Sequence, residues 1–157
     1  MEHLLDKTPH YLFVYGTLKP GHGNNGLIER GNGKSIGPAR TVGKFLLNDG
    51  FPYVWKPRQG TTGAYHVHLG QVVGHLYKVS DACLESCDRL EGHPTHYCRT
   101  PITVAYGPNG AGPYVTAGIY LAQSEPGQYL QTPIDGLLEW GRDEPVIARN
   151  FQRARRR

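Results

Sequence analysis

Tyr11-Leu12-Phe13-Val14-Tyr15-Gly16-Thr17-Leu18-Lys19-Pro20-Gly21 is a run of β-formers that stops at a glycine and becomes a turn-rich loop. Aromatic and branched residues favour a pleated strand over 11–15. Gly16 omits a side chain where the chain must bend, so that successive N–H groups can face outward together. A corner of that kind can hold an oxygen anion. The rest of the sequence reads as scaffold around it or as partner to it.

Downstream, the glycine- and asparagine-rich loop through Gly26 leads to a short helical signal over Leu27–Arg30, ended by Gly31-Asn32-Gly33. Residues 35–47 read as an interrupted strand, Asn48-Asp49-Gly50 as a turn and 51–55 as resumed extended chain. Gln71 to Val79 is the clearest strand, and Ser80-Asp81 supply N-cap candidates for a helix running to about Glu91, where Gly92 and Pro94 end it. Tyr97–Tyr106 and Tyr114–Leu121 read as a hairpin across a loop of glycine, proline and asparagine. Ile134–Trp140 reads as a short amphipathic helix. Strands with short helices between them, without regular β-α alternation, predict an α+β fold with a mixed or antiparallel sheet.

At 157 residues the chain suits one domain with a real core. We expect a flexible N-terminus over 1–10, a single domain over 11–148 and a basic, mobile tail over 149–157. The formal charge is +4, but five arginines (Arg149, Arg153, Arg155, Arg156 and Arg157) lie in that tail and leave the remainder at −1. The basicity therefore belongs to the tail. It could touch nucleic acid or an acidic partner, though without interleaved aromatics a solubilising end is the plainer reading. No apolar run approaches the roughly 20 residues needed to span a bilayer. The first ten residues lack the pattern of a secretory signal, and three cysteines give no disulfide framework, so the expectation is cytoplasmic.

The segment 81–91 carries a second candidate feature. At about 100° per residue, Cys83, Leu84, Cys87 and Leu90 share one helix face and Glu91 joins them, while Glu85 and Arg89 point away. Partial burial would raise the Glu91 pKa and make it a usable base near neutrality. A helix-end glutamate turned to solvent is the alternative, and the pattern alone leaves it open.

Other motifs dissolve on inspection. Gly21-His22-Gly23-Asn24-Asn25-Gly26 matches the letters of a dinucleotide fingerprint, but it starts too late after the strand, and residues 40–48 offer Arg40 and Lys44 where a ribose-binding acid is wanted. Gly33-Lys34-Ser35 resembles the end of a P-loop, yet Ile28 stands where its first glycine belongs. His66 and His68 on one strand face, and Cys83, Cys87, His93, His96 and Cys98 within sixteen residues, could be read as zinc ligands. Cysteines spaced C-x-x-x-C in a helix core read better as structural thiols. The same placement argues against a cysteine nucleophile paired with His93 or His96, because burial raises a thiol pKa.

Taken in order, Tyr15-Gly16-Thr17-Leu18-Lys19-x-Gly21, Asn25, Gly74-x-x-Tyr77, Leu90-Glu91-Gly92-His93-Pro94-x-x-Tyr97-x-Arg99 and Ala117-x-x-Tyr120 resemble the γ-glutamyl cyclotransferase-like family, including its γ-glutamylamine cyclotransferase and AIG2-like branches. The resemblance covers roughly residues 11–121. It implies a small mixed β-barrel flanked by short helices, with a ligand cavity at the corner and no metal or organic cofactor. Tyr15, Gly16, Thr17 and Leu18 would bind substrate, Tyr97 and Tyr120 would line the cavity, and Glu91 would be the catalytic acid/base. The implied activity is conversion of a γ-glutamyl amine or γ-glutamyl-tagged metabolite to 5-oxoproline and free amine. The alternative is a non-catalytic module of the same fold that holds a small carboxylate or anion, with a basic tail for a partner or nucleic acid.

Overall fold

Side-chain alternation along the first strand decides where the layers of the structure go. The computed structural model describes residues 10–57, 65–107, 109–127 and 129–142. In strand β1 (His10–Val14), Leu12 and Val14 are buried against Cys83, Leu84 and Cys87, whereas Phe13, with Tyr15 just beyond the strand, packs among Val72, Leu76, Val104 and Ile119. The first cluster joins the sheet to its helices. The second has no helical member and fills the interior enclosed by the sheet.

Helix α1 (Asn25–Arg30) follows the corner, and β2 (Lys34–Thr41), β3 (Leu46–Leu47) and β4 (Val54–Trp55) come next. A 3-10 turn covers His66–His68 before β5 (Gln71–Val79), helix α2 (Asp81–Glu91), β6 (Tyr97–Tyr106), β7 (Tyr114–Ala122) and β8 (Leu137–Leu138). Five strands close in the order β1-β7-β6-β2-β5 and back to β1. The β1–β7 contact is parallel and the other four are antiparallel, so the barrel is mixed. β8 adds in parallel to the start of β5, and β3 with β4 forms a separate two-stranded ladder.

Helix α2 has the boundaries its capping residues predict. The Ser80 hydroxyl accepts from the Cys83 N–H at 3.2 Å, and Gly92 takes the left-handed conformation (φ 69°) that ends the helix without a Cβ penalty. Two expectations fail. Residues 134–140 form no helix: Asp135 and Gly136 both take positive φ, and the turn they make feeds β8 instead. His66 and His68 sit on a 3-10 turn and share no strand face. On α2, Leu90 leaves the predicted core face and is 45% exposed, lining the cavity instead of joining the buried cluster of Cys83, Leu84 and Cys87. Of the expected flexible N-terminus, residues 1–9 lie outside the described residues while His10 begins β1, and the whole of the expected tail, 149–157, lies outside them.

Closing the barrel depends on one close approach. A Cβ on Gly74 in β5 would stand 2.3 Å from the Val14 carbonyl oxygen and 2.8 Å from the Phe13 ring. Gly74→Ala should therefore destabilise the protein by about 1–3 kcal/mol, since backbone cannot yield as a flexible side chain would. Chemical denaturation reads this as a lower midpoint at unchanged m-value; an unaltered midpoint would show that the seam is looser than described.

Candidate active site

Where β1 ends, the chain turns back: the Lys19 N–H donates to the Gly16 carbonyl at 3.0 Å. Glycine is required at 16 for space, since its φ is not positive; a Cβ there would fall 2.5 Å from Pro52 Cβ. The N-terminal end of α1 holds the corner from the other side. Asn24 donates its side-chain amide to the Thr17 hydroxyl at 2.8 Å, and buried Asn25 donates to the Leu18 carbonyl at 2.8 Å and the Tyr77 hydroxyl at 3.0 Å. Buried Lys19 reaches the Trp140 carbonyl at 3.2 Å and lies over its indole. With its carbonyls and side chains tied in this way, the corner leaves the N–H groups of Gly16, Thr17 and Leu18 without a backbone acceptor among the described residues.

Those three residues line a cavity of about 320 Å³, the lower end of the size typical of small-molecule sites. Every residue named from the sequence for substrate or catalysis is on its wall: Tyr15, Gly16, Thr17, Leu18, Glu91, Tyr97 and Tyr120. Asn24 and the Phe51-Pro52-Tyr53 segment complete it, together with Leu90 at the exposed end. No sequence pattern singled out Asn24, Pro52 or Tyr53. Asn24 could have been suspected from the Asn-Asn pair after the strand, but Pro52 and Tyr53 arrive through tertiary packing alone.

The three tyrosines are fixed by their hydroxyls. Tyr15 donates to the Tyr120 carbonyl at 2.5 Å, Tyr97 to the Pro52 carbonyl at 2.9 Å, and Tyr120 to Asp88 Oδ1 at 2.7 Å. Burial pushes the Tyr15 and Tyr120 pKa values well up, so both hydroxyls stay neutral. Asp88, a residue the sequence gave no reason to notice, also accepts from Arg99 Nε at 2.9 Å and Nη2 at 3.1 Å. Burial pulls the Asp88 pKa upward, but the Arg99 and Tyr120 hydrogen bonds outweigh it and hold the carboxyl below its ordinary value.

Glu91 closes α2, partly buried at the cavity wall, and burial pushes its pKa from 4.5 up to about 7. The two carboxyls of the last helical turn are thus set apart: Asp88 is charged and paired, while Glu91 exchanges its proton near neutrality. Cys83 and Cys87 are buried in the helix core, and burial drives the Cys87 thiol to about 12, the wrong direction for a nucleophile. Among the described residues no group of His, Cys, Asp and Glu is arranged to hold a metal ion, and no helix is long and apolar enough to cross a membrane.

Comparison with known proteins agrees with this architecture. The family model for γ-glutamyl cyclotransferase, AIG2-like, matches residues 12–140. A γ-glutamylaminecyclotransferase of Rattus norvegicus is 29% identical over 131 residues, covering 78% of this chain and 85% of the rat protein. A Methanocaldococcus jannaschii protein that carries γ-glutamylcyclotransferase as a provisional name is 32% identical over 95 residues, 60% of this chain and 71% of its own length. The crystal structure of an AIG2-like protein from Mus musculus superposes with a TM-score of 0.63 at 24% identity, covering 88% of this chain and 99% of the mouse chain. The chain belongs to the γ-glutamyl cyclotransferase, AIG2-like family, and its mixed barrel is the fold of that family.

The raised Glu91 pKa carries a cost in stability. A carboxyl that binds its proton more tightly folded than unfolded makes stability fall as pH rises from about 4.5 to about 7 and stay low above that. Glu91→Gln removes the buried charge, so at about pH 8 it should be more stable than the parent by up to about 3 kcal/mol. The difference should vanish near pH 4, where Glu91 is protonated in both states. Thermal denaturation at the two pH values checks the sign.

Proposed function

We propose that the protein is an enzyme that converts a γ-glutamyl amine, or a metabolite tagged through a γ-glutamyl amide, to 5-oxoproline and the free amine. One observation supports this above the rest: Glu91, its pKa raised by burial to about 7, lines the same cavity as Gly16, Thr17 and Leu18, the corner residues whose N–H groups have no backbone acceptor among the described residues. Membership of the γ-glutamyl cyclotransferase, AIG2-like family points the same way.

In such a substrate the α-amino nitrogen can attack its own γ-carbonyl carbon and close a five-membered ring. The nucleophile is tethered, so little orientational entropy remains to be lost. The α-ammonium first gives a proton to the Glu91 carboxylate. The free amine then forms the new C–N bond as the carbonyl oxygen becomes an oxyanion, which the N–H groups of Gly16, Thr17 and Leu18 are placed to stabilise. As the intermediate collapses, the bond to the departing nitrogen breaks, Glu91 returns its proton to that nitrogen, and the ring nitrogen, which still carries two protons, gives one up to solvent to leave the neutral lactam. Protons balance, and no cofactor takes part. Tyr15, Tyr97 and Tyr120 shape the wall and exclude water.

Purified protein should release 5-oxoproline from γ-glutamyl amines, and Glu91→Gln should lower kcat by about 10² to 10⁴ while the fold persists. Because the base form is required, kcat/KM should rise with pH and level off above about 7. Full turnover by the glutamine variant would remove Glu91 from the mechanism. Binding of 5-oxoproline with no product across a broad γ-glutamyl panel would favour the non-catalytic module instead.

A further inference from the structure

Glu91 is the last residue of its helix, where side chains ordinarily fray, yet the proposed chemistry asks it to hold one position against the cavity. The residues on either side of it are gripped by a single side chain and its own backbone. Three residues before Glu91, Asp88 receives Nε and Nη2 of Arg99, one hydrogen bond to each carboxylate oxygen. Two residues after Glu91, His93 Nδ1 accepts the Arg99 backbone N–H at 2.9 Å. Arg99 thus clips the chain to β6 on both sides of Glu91.

The sheet is built to present that clip. Arg99 stands directly opposite Tyr120 in the β6–β7 register, so both side chains leave the same face and meet at Asp88, which also accepts the Tyr120 hydroxyl. Room for the arginine stem comes from Gly118 in β7, where a Cβ would lie 3.0 Å from Arg99 Cγ and 3.1 Å from Cδ. A forked guanidinium can satisfy a carboxylate in this bidentate way; an ammonium cannot.

The clip also settles the charge beside Glu91. Asp88 lies one helical turn away and, unpaired, would oppose ionisation of Glu91. The groups around the two carboxyls are the hydroxyls of Tyr15, Tyr97 and Tyr120, the Cys87 thiol, the His93 ring and Arg99. The hydroxyls and the thiol are neutral at pH 7. Arg99 is the cation hydrogen-bonded to Asp88.

We propose that Arg99 is a positioning residue for Glu91: by clasping Asp88 and His93 it fixes the end of α2 against the barrel, and it cancels the negative charge one turn from the acid/base. This rests on Glu91 having the role proposed above, so the experiment reads Glu91 directly as well as through turnover.

The Glu91 side-chain carboxyl is titrated by carbon-13 NMR in the wild type, Arg99→Gln, Asp88→Asn, the double variant and Arg99→Lys. Arg99→Gln leaves Asp88 unpaired and should move the midpoint up by about half a pH unit or more, whereas Asp88→Asn leaves the guanidinium unpaired and should move it down. The double variant should return to within about 0.2 of the wild type. Arg99→Lys keeps the charge and should hold the midpoint, but the fork is lost, so kcat for 5-oxoproline release should fall about tenfold with KM changed less than threefold. Shifts of the same sign in both single variants, or no shift in either, would overturn the proposal. So would wild-type kcat in Arg99→Lys. If no variant, wild type included, releases 5-oxoproline, the enzyme reading fails, and opposite midpoint shifts still stand or fall on their own.

Discussion

Strand β1 pairs on both edges, antiparallel to β5 along its length and parallel to β7 at Leu12 opposite Gly118, and closure of the barrel depends on that double use. A strand with both edges occupied cannot bend within the sheet, so the chain that leaves it at Val14 must depart from the barrel at its end. The corner at 16–18 follows directly. Its carbonyls and side chains are tied by the N-terminal end of α1, and Pro52 closes on Gly16 from the other side. Anion-binding corners at strand ends arise in this way from topology as much as from residue type.

Helix α2 meets the same end of the barrel under an opposite constraint. Its core face, Cys83, Leu84 and Cys87, packs on Leu12 and Val14 of β1, which brings its last turn to the rim of the cavity. Burying Cys83 and Cys87 beneath that turn also removes water from beneath Glu91. The resulting penalty on its charged form is a stability cost held at the site, offset by the apolar cluster the helix contributes. Exposing Glu91 would recover that stability and return the carboxyl to an ordinary acid. The tool for proton exchange near neutrality and the strain on the fold have one cause.

The elements with strong local signals were legible in the sequence. The span 71–79 alternates and contains its own β-formers, and 81–91 carries both caps, so these boundaries needed no tertiary information. The helical spacing also placed Glu91 beside Cys87, which is where the structure has it. Residues 134–140 read as an amphipathic helix, but Asp135-Gly136, a pair suited to positive φ, makes the turn that leads into β8 instead. Asp88, and the pairing that gives Arg99 a part beyond its place in the motif, were illegible for a different reason. An acid on a helix and an arginine on a strand are the commonest of surface residues, and only the β6–β7 register, which no single strand encodes, makes them one structure. Pro52 and Tyr53 entered the cavity through the same kind of long-range contact.

The polarity of the cavity likewise cannot be read from its residue types. Three tyrosines on a wall suggest three hydroxyl donors, but a neutral hydroxyl has one proton, and each of these is committed elsewhere: Tyr15 to the Tyr120 carbonyl, Tyr97 to the Pro52 carbonyl, Tyr120 to Asp88. The Asn24 amide is turned to Thr17. Among the described lining residues, that leaves the corner's backbone N–H groups without a backbone acceptor, and Glu91 as the carboxyl on the same wall. For the reaction proposed above, that asymmetry sets direction. In that reading an oxyanion is met by the corner's N–H groups and an ammonium by the Glu91 carboxylate, which sorts the two reacting functions of a γ-glutamyl group. Replacing Asp88 would free the Tyr120 proton and blur that distinction without changing a residue that lines the cavity.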